Sequence, residues 1–544
     1  MMRSQQGYLM LVAVLLIMVI GFLGVSVAYM ISSSAFSTNQ FTQAETAFDI
    51  AASGLEKSTR FLQTPFLTGT NPRTACSAIT GESNLTDSSV GSGTFTATTV
   101  SGSPFYANTT LNGALTASAT SLTLTSTTGF APSGRVSIDR EAISYSSISG
   151  SSLVGLKRGI DNTIASTHAS GTYVSQFQCS LDSIGYIPNS SATLWKNEQQ
   201  QGIQLQEGWA VGDRSGNSFI LTHWNYPTAL SWTNASISNP SNRVNLNAIS
   251  LLSNADGWAT GDTSGTNFIF LHLLGSTWNV SVVAGACSGQ NINGISAVSA
   301  TQAWAVGVRT RATTCSSGNY RYTILYWNGA SWVELTPSTS PSIPADGTSS
   351  AIQNLNAVHV INTTGTGAGT IGFAVGQSGT ILKYNGSNWV TDTSSVTNNL
   401  FGVYVVSMSE AWAVGASGRI LKWNGSTWST VTSPTTTQLN GITMLDTDGS
   451  GTANYGWAVG NSGVAIVYNG SSWSSQNIGG STTWWSVAIP QLNDAWAAGN
   501  GGNIRHWDGS AWNTVSSDES AALNAIAFVS PQSKPWSGWH EIFP

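Results

Sequence analysis

The chain has 544 residues, enough for several domains, and only 8% of them are charged, about a third of the usual share. Ser, Thr, Asn and Gly stand where Lys and Glu are common, which suits an extracytoplasmic β-rich surface rather than a cytosolic enzyme. The formal charge of -6 is small for this length, and no Lys/Arg cluster follows the N-terminal apolar segment, so nothing points to a nucleic-acid partner.

Residues 1–7 form a short polar leader with one cation, Arg3. Residues 8–31 then run 24 positions without a charge, long enough to span a bilayer as a helix and too long for an ordinary secretory apolar core. Helical periodicity continues beyond them. Phe41, Ala44, Phe48, Ala51, Ala52 and Leu55 recur at helical spacing, with Gln43, Glu45, Asp49 and Glu56 between. One helix over 8–62 would be roughly 80 Å long at about 1.5 Å per residue.

A leader ending in Gly7, the aromatic Tyr8 after it, an apolar helix and an amphipathic continuation resemble type IV pilins. The stretch AETAFDIAASGLEKS resembles PilX-type minor pilins and their MSHA-biogenesis relatives. The resemblance implies cleavage after Gly7 by prepilin peptidase and N-methylation of Tyr8. It also implies an inner-membrane precursor, then an extracellular filament shared with other pilin subunits, packed through Val12, Gly21 and Gly24. At Val12 the chain departs from the family, which carries Glu there to pair with the neighbouring subunit's N-terminal amine. That departure resembles a minor pseudopilin at a filament tip. The alternatives are a secretory signal cut after Ala28 or an uncleaved anchor, neither of which needs the amphipathic segment that follows.

A pilin-like α+β head is expected over 63–198. SGTFTATTV (92–100) alternates as a strand, and FQCSLDSIGYIPNSSATLWK (177–196) resembles the closing strand and turn of PilX-type heads. Between them, at about 111–174, short alternating strands and Gly/Ser turns predict an inserted small β module. Its GF…G…I…E.I.Y…L.G..RG…H..G pattern resembles a module of phage and surface proteins. His168 and Arg158 stand out in it, and both read as turn and strand polar residues. Cys76, Cys179, Cys287 and Cys315 include no CxxC pair. After an export signal, an even count suggests disulfides, with sequence order favouring Cys76–Cys179 and Cys287–Cys315; the alternative is buried free thiols.

From about 199 to 535 one grammar repeats. A strand of the LNAI type (first at Leu246–Ile249) precedes a WAVG strand, then a third strand, an Asn-Gly or Asp-Gly turn (Asn328, Asn385, Asn424, Asn469, Asp508) and a strand led by Trp. The WAVG-type copies lie at Trp209, Trp258, Trp304, Phe373, Trp412, Trp457 and Trp496, spaced 39 to 49 apart with one step of 69. Four strands per unit of this length predict β-propeller blades. Trp209 has no LNAI strand before it, and Leu523–Phe528 has no WAVG after it. Seven blades closed by the C-terminal strand satisfy both. The NGSxW turns resemble degenerate Asp-boxes, so the array is similar to BNR/Asp-box propellers, including photosystem II assembly-factor and sialidase-like folds. The tail 536–544 fits no repeat.

The fold class is therefore mainly β, with a long N-terminal helix, a pilin-like head carrying an inserted β module, and a seven-bladed propeller. No enzyme is expected. Arg214, Arg243, Arg309, Arg311, Arg321, Arg419 and Arg505 show no pattern selecting a sialidase-type triad, and the six histidines lack metal spacing. Asp446, Asp448 and Ser450 occupy positions 1, 3 and 5 of a calcium-like loop, but Trp457 stands where the closing Glu belongs, so an ordinary turn is the default over a weak calcium site. Most of the 22 tryptophans recur at fixed repeat positions, as packing demands. Trp224, Trp484, Trp536 and Trp539 are the candidates for stacking on a ligand, glycan or protein, with burial in the core as the alternative. The expected function is a minor, tip-located pilus subunit displaying a propeller for adhesion or recognition. The alternatives are a coat subunit, an anchored assembly factor and a surface glycosidase.

Overall fold

The computed structural model describes residues 43–58, 76–191, 195–204, 208–224 and 232–529, apart from 44, 77, 104, 161–162, 217, 236, 239–242 and 314. The leader, Gly7, Tyr8, Val12, Gly21, Gly24, the span 8–31, Trp536, Trp539 and the tail lie outside these residues. Within them the chain is mainly β. The one helix longer than a turn among the described residues lies within 43–58, and the rest of the helix expected over 8–62 falls outside the described residues. No helix among the described residues is long and apolar enough to cross a membrane. The expected inner-membrane precursor is corrected on that ground. The two disulfides are of the kind that persist in oxidising compartments.

The helix packs on an eight-stranded sheet whose spine is the strand Tyr173–Ile187. Ala47, Ile50 and Leu55 are buried against Phe95, Ala97, Leu181 and Ile187. Close approach needs a glycine: a Cβ on Gly185 would collide with the backbone at Ala47 and Ala51. Cys76–Cys179 ties the chain after the helix to this spine. The C-terminal half of the spine pairs with Gly93–Thr99 and Trp195–Gln204. Its N-terminal half pairs with Phe105–Thr110 and, at Val174 and Ser175, with Gly134–Ile138. The head and the inserted module thus share one sheet, and the boundary expected near 174 falls inside a strand. The module has its own core of Leu111, Leu122, Val136, Ile138, Ile143 and Leu153.

Seven further sheets, each with at least four strands, follow around a ring. Their inner strands are Leu246–Ser253, Ile292–Ser299, Leu355–Ile361, Leu400–Ser407, Leu439–Leu445, Trp484–Gln491 and Leu523–Phe528. The last pairs antiparallel with Gly208–Ser215, so chain end and chain start build blade 1 together. That closure removes the open edge between first and last blades.

Two repeated devices hold the ring. The WAVG aromatic of each blade meets aromatics of the next: Trp258 meets Trp327 and Trp332, Trp304 meets Tyr384 and Trp389, and Phe373 meets Trp423 and Trp428. Around the circle, Trp412, Trp457, Trp496 and Trp209 do the same. The second device is a β-bulge at the second residue of every inner strand. Five of these residues are Asn, and each donates its amide to the first carbonyl of the next inner strand. Asn247 reaches Ile292 at 2.9 Å, Asn293 reaches Leu355 at 2.8 Å and Asn356 reaches Leu400 at 2.7 Å. Asn440 reaches Trp484 at 2.8 Å, and Asn524 reaches Leu246 at 3.0 Å. Phe401 and Trp485 take the place in blades 5 and 7.

Strands run up and down within a blade, so the turns between first and second strands share one end with those between third and fourth. The remaining connections lie at the other end. The inserted module sits on the first end. The long loops around Cys287–Cys315 and 336–352 belong to the second.

Candidate functional site: a plugged channel beneath the inserted module

The hairpin Gly134–Ile138 and Glu141–Tyr145 reaches the propeller through a two-residue tip. Asp139 sits in the left-handed region at φ 51°, which Asp tolerates in turns. Its Oδ1 accepts from Ala300 N at 3.0 Å. Arg140, beside it, lines the central channel, and its Nη2 donates to Ser250 Oγ of the blade 2 inner strand at 3.2 Å. Further contacts secure the module to blade 4: Thr167 N and Oγ1 donate to the carbonyls of Gly365 and Thr366 at 2.9 Å, and Asn362 Nδ2 donates to Ser166 Oγ at 3.2 Å.

Behind the tip lies a buried ionic network. His168 Nδ1 lies 2.6 Å from Asp139 Oδ2, and its Nε2 lies 2.8 Å from Glu141 Oε2. Glu141 also accepts from Arg158 Nε at 2.7 Å and Nη2 at 2.8 Å, and from the backbone of Gly159 and Ser166. Burial disfavours the imidazolium, but the hydrogen bonds to Asp139 and Glu141 outweigh it and push the His168 pKa up to about 9. Burial likewise opposes ionisation of Glu141, yet His168 and Arg158 hold its carboxyl below the ordinary value. His168 and Arg158, expected as ordinary turn and strand residues, are joined in one cluster under the tip. A histidine held cationic between two carboxylates is a clamp, not a general base.

Opposite the tip, His359 is pushed down to about 3 by burial and by the charge of Arg140. Its Nδ1 accepts from Val405 N at 2.9 Å, which places the proton of the neutral ring on Nε2. Tyr404 stacks on it at 4.5 Å, its hydroxyl pKa raised by burial. Arg140, His359 and Tyr404 separate two spaces. One is a cavity of about 690 Å³ between module and blades, lined also by Asp139, Glu141, Met408 and Asp446. The other is the channel proper, about 300 Å³, bounded at its far mouth by the bulged ring with Phe401 and Trp485.

The other expected site residues fall elsewhere. Trp224 is 3% exposed and packs on Trp496 at 4.8 Å. It ends the third strand of blade 1 as Trp327 and Trp423 end theirs. Trp484 is 1% exposed and holds the place of Leu246 and Leu400 between blades. Both are corrected from ligand candidates to core. Their neighbour Trp485 is the exposed one, with Nε1 donating to Asn500 Oδ1 at 2.7 Å. Asp446 Oδ1 accepts from Gly449 N at 2.8 Å and Oδ2 from Gly451 N at 2.8 Å, while Asp448 Oδ1 accepts from Ser450 N at 3.0 Å. These oxygens cap a turn on the module side, and no group of three or more His, Cys, Asp or Glu among the described residues could hold a metal. Both disulfides form in the expected pairing, Cys76–Cys179 and Cys287–Cys315. Arg309 and Arg311 bracket the Tyr320 ring at 4.2 and 3.9 Å, and Arg321 pairs with Asp346 at 2.8 Å. Arg309 and Arg311 also donate to loop carbonyls, so this trio ties the long loops together rather than forming a carboxylate clamp.

Sequence reasoning missed Arg140, Phe401 and Trp485. The latter two were visible as departures from Asn when the LNAI strands are aligned. Arg140 gave only a polar pair, Asp139-Arg140, between two alternating strands.

No family model and no curated protein matches the chain. Among solved structures, it is similar to one described as YCF48 bound to D1 peptide, at 15% identity and a TM-score of 0.36, over 49% of this chain and 80% of that one. YCF48 from Cyanidioschyzon merolae gives 16% and 0.34, over 49% and 84%. The WD40 propeller domain of Doa1 gives 11% and 0.38, over 52% and 84%. The propeller architecture itself rests on the seven sheets and the closing strand described above.

Proposed function

We propose that the chain is a non-catalytic recognition protein whose propeller binds its partner through the face opposite the inserted module. The observation that carries this reading is the division of the two faces. The module covers one and enters the channel from that side, while the disulfide-tied loops around Cys287 and Cys315 and the loop at 336–352 gather at the other. Loops held on a rigid scaffold are where binding surfaces are usually built. The finer reading is that the head presents the propeller as a pilin-like subunit. It draws on the N-terminal sequence and on the helix lying close along the sheet at Gly185.

The test is binding of the purified, oxidised full chain to arrays of glycans and extracellular-matrix proteins. Ser317→Trp and Ser350→Trp obstruct the exposed long loops, and Ser426→Trp is the control at the opposite end. Loss of the array signal in the first two alone is the expected result. Equal signals in all three variants, or turnover in a glycosidase panel, would overturn the reading.

A further inference from the structure

The channel of the propeller contains a cation that the fold does not neutralise. Arg140 enters along the axis from the module tip, and among the described residues its one side-chain hydrogen bond goes to Ser250 Oγ. Its Nε is buried without a partner. Asp139, adjacent in sequence, turns away to His168 and Ala300. Among the described residues that line the channel there is no Asp or Glu. Arg140 is only partly exposed, and a guanidinium part-withdrawn from water without a counter-ion costs more than a leucine that would plug the same hole. An anion arriving from the open mouth would remove that cost.

The rest of the channel suits such a ligand. His359 lines it as a neutral ring with its proton on Nε2, a second donor that brings no competing charge. The mouth breaks its Asn ring with Phe401 and Trp485 in blades 5 and 7, one blade apart. The Trp485 indole is 37% exposed and oriented by Asn500. The volume of about 300 Å³ admits a ligand of monosaccharide or dipeptide size.

We infer that the open channel is a binding site for a carboxylate, held by Arg140 at its floor and by Trp485 and Phe401 at its mouth. The carboxylate takes the free edge of the guanidinium, and the aromatic mouth covers the apolar part of the molecule that carries it. This deepens the recognition reading, since the mouth opens on the same face as the long loops. It does not depend on a macromolecular partner being found.

The test is calorimetric titration of the oxidised full chain with two matched pairs: galacturonate against galactose, and N-acetyl-Ala-Ala against its C-terminal amide. In at least one pair the acid is expected to bind tenfold or more tightly than its neutral counterpart, and the pair that responds identifies the source of the carboxylate. Arg140→Gln should abolish that preference. Because Arg140 also touches blade 2, Trp485→Ala gives a second variant at the solvent side, expected to weaken the acid severalfold with at most a few degrees of change in melting temperature. Equal binding of acid and neutral forms, binding of neither acid, or full acid affinity in either variant would overturn the inference. Array binding that persists in Arg140→Gln while no acid binds would remove the channel site and leave the recognition reading. Acid binding without any array partner would do the reverse.

Discussion

Alkaline titration of His168 should loosen the module. The imidazole is buried, with Asp139 and Glu141 on its two nitrogens, and its pKa rises from 6.5 to about 9. A histidine whose folded pKa is raised contributes stability that is fully present below the unfolded value. That contribution is lost as pH climbs through the folded value. At about 1.4 kcal/mol per unit, the shift corresponds to about 3 kcal/mol, gone by roughly pH 9.5. For a unit of head size, this lowers the melting temperature by about 6–12 °C. The assay is thermal unfolding of the wild type and of His168→Gln from pH 6 to 9.5, with hydrogen exchange by mass spectrometry on peptides covering 111–172. The backbone of Leu115 pairs with that of His168, so its protection reports the same opening. The variant leaves two buried carboxylates facing a neutral amide and should be destabilised by about 3–5 kcal/mol at pH 6. Its alkaline slope should be shallower than that of the wild type. A flat wild-type profile between pH 6.5 and 9.5, or the same slope in the variant, refutes the assignment of His168 as the charged clamp.

Two further outcomes are expected. Trp224→Ala removes a side chain packed on Trp232 and Trp496 and should cost about 3–5 kcal/mol in a denaturant melt, whereas Trp485→Ala, at the exposed mouth, should cost about 1 kcal/mol or less. Ending the chain after Ala522 deletes the strand that pairs with Gly208–Ser215 and exposes the partners of Leu523 and Ile526; size-exclusion chromatography should then show aggregation or early unfolding, and a monodisperse product with wild-type stability would contradict the closure.

What the sequence made legible was what it repeated. Seven WAVG copies and seven LNAI strands that failed to align at the two ends required a closing strand, and Leu523–Phe528 supplies it. Tryptophans recurring at two positions per unit implied packing between blades, and the aromatic contacts run around the circle. The same logic misled where a blade is degenerate. Blade 1 is split between two distant parts of the chain, so Trp224 looked variable although it ends its strand as Trp423 does. At Trp484 and Trp485, two adjacent indoles hid a single bulge that buries the first and exposes the second. The calcium-like spacing at Asp446 described a turn correctly. Its oxygens meet backbone amides before they could meet a cation.

The docking of module on propeller was not legible for a different reason. Its contacts join positions 161 and 199 residues apart, Asp139 to Ala300 and Thr167 to Thr366, and no local period encodes such a pairing. Its chemistry is still informative. A propeller closed by its own last strand needs no plug for stability, since its blades already bury their edges against one another. The hairpin nevertheless delivers a guanidinium to the axis, and an aspartate at the same tip is engaged by His168 and Ala300 instead of by its neighbour. Had the tip served only to fasten the two units, Asp139 paired with Arg140 would be the cheaper arrangement. The network of His168, Glu141 and Arg158 instead fixes Asp139 away from the channel and leaves Arg140 as the one charge among the described residues that line it. The clamp under the tip and the open cation at its point are therefore two parts of one device, and the alkaline loosening of the first should weaken carboxylate binding at the second.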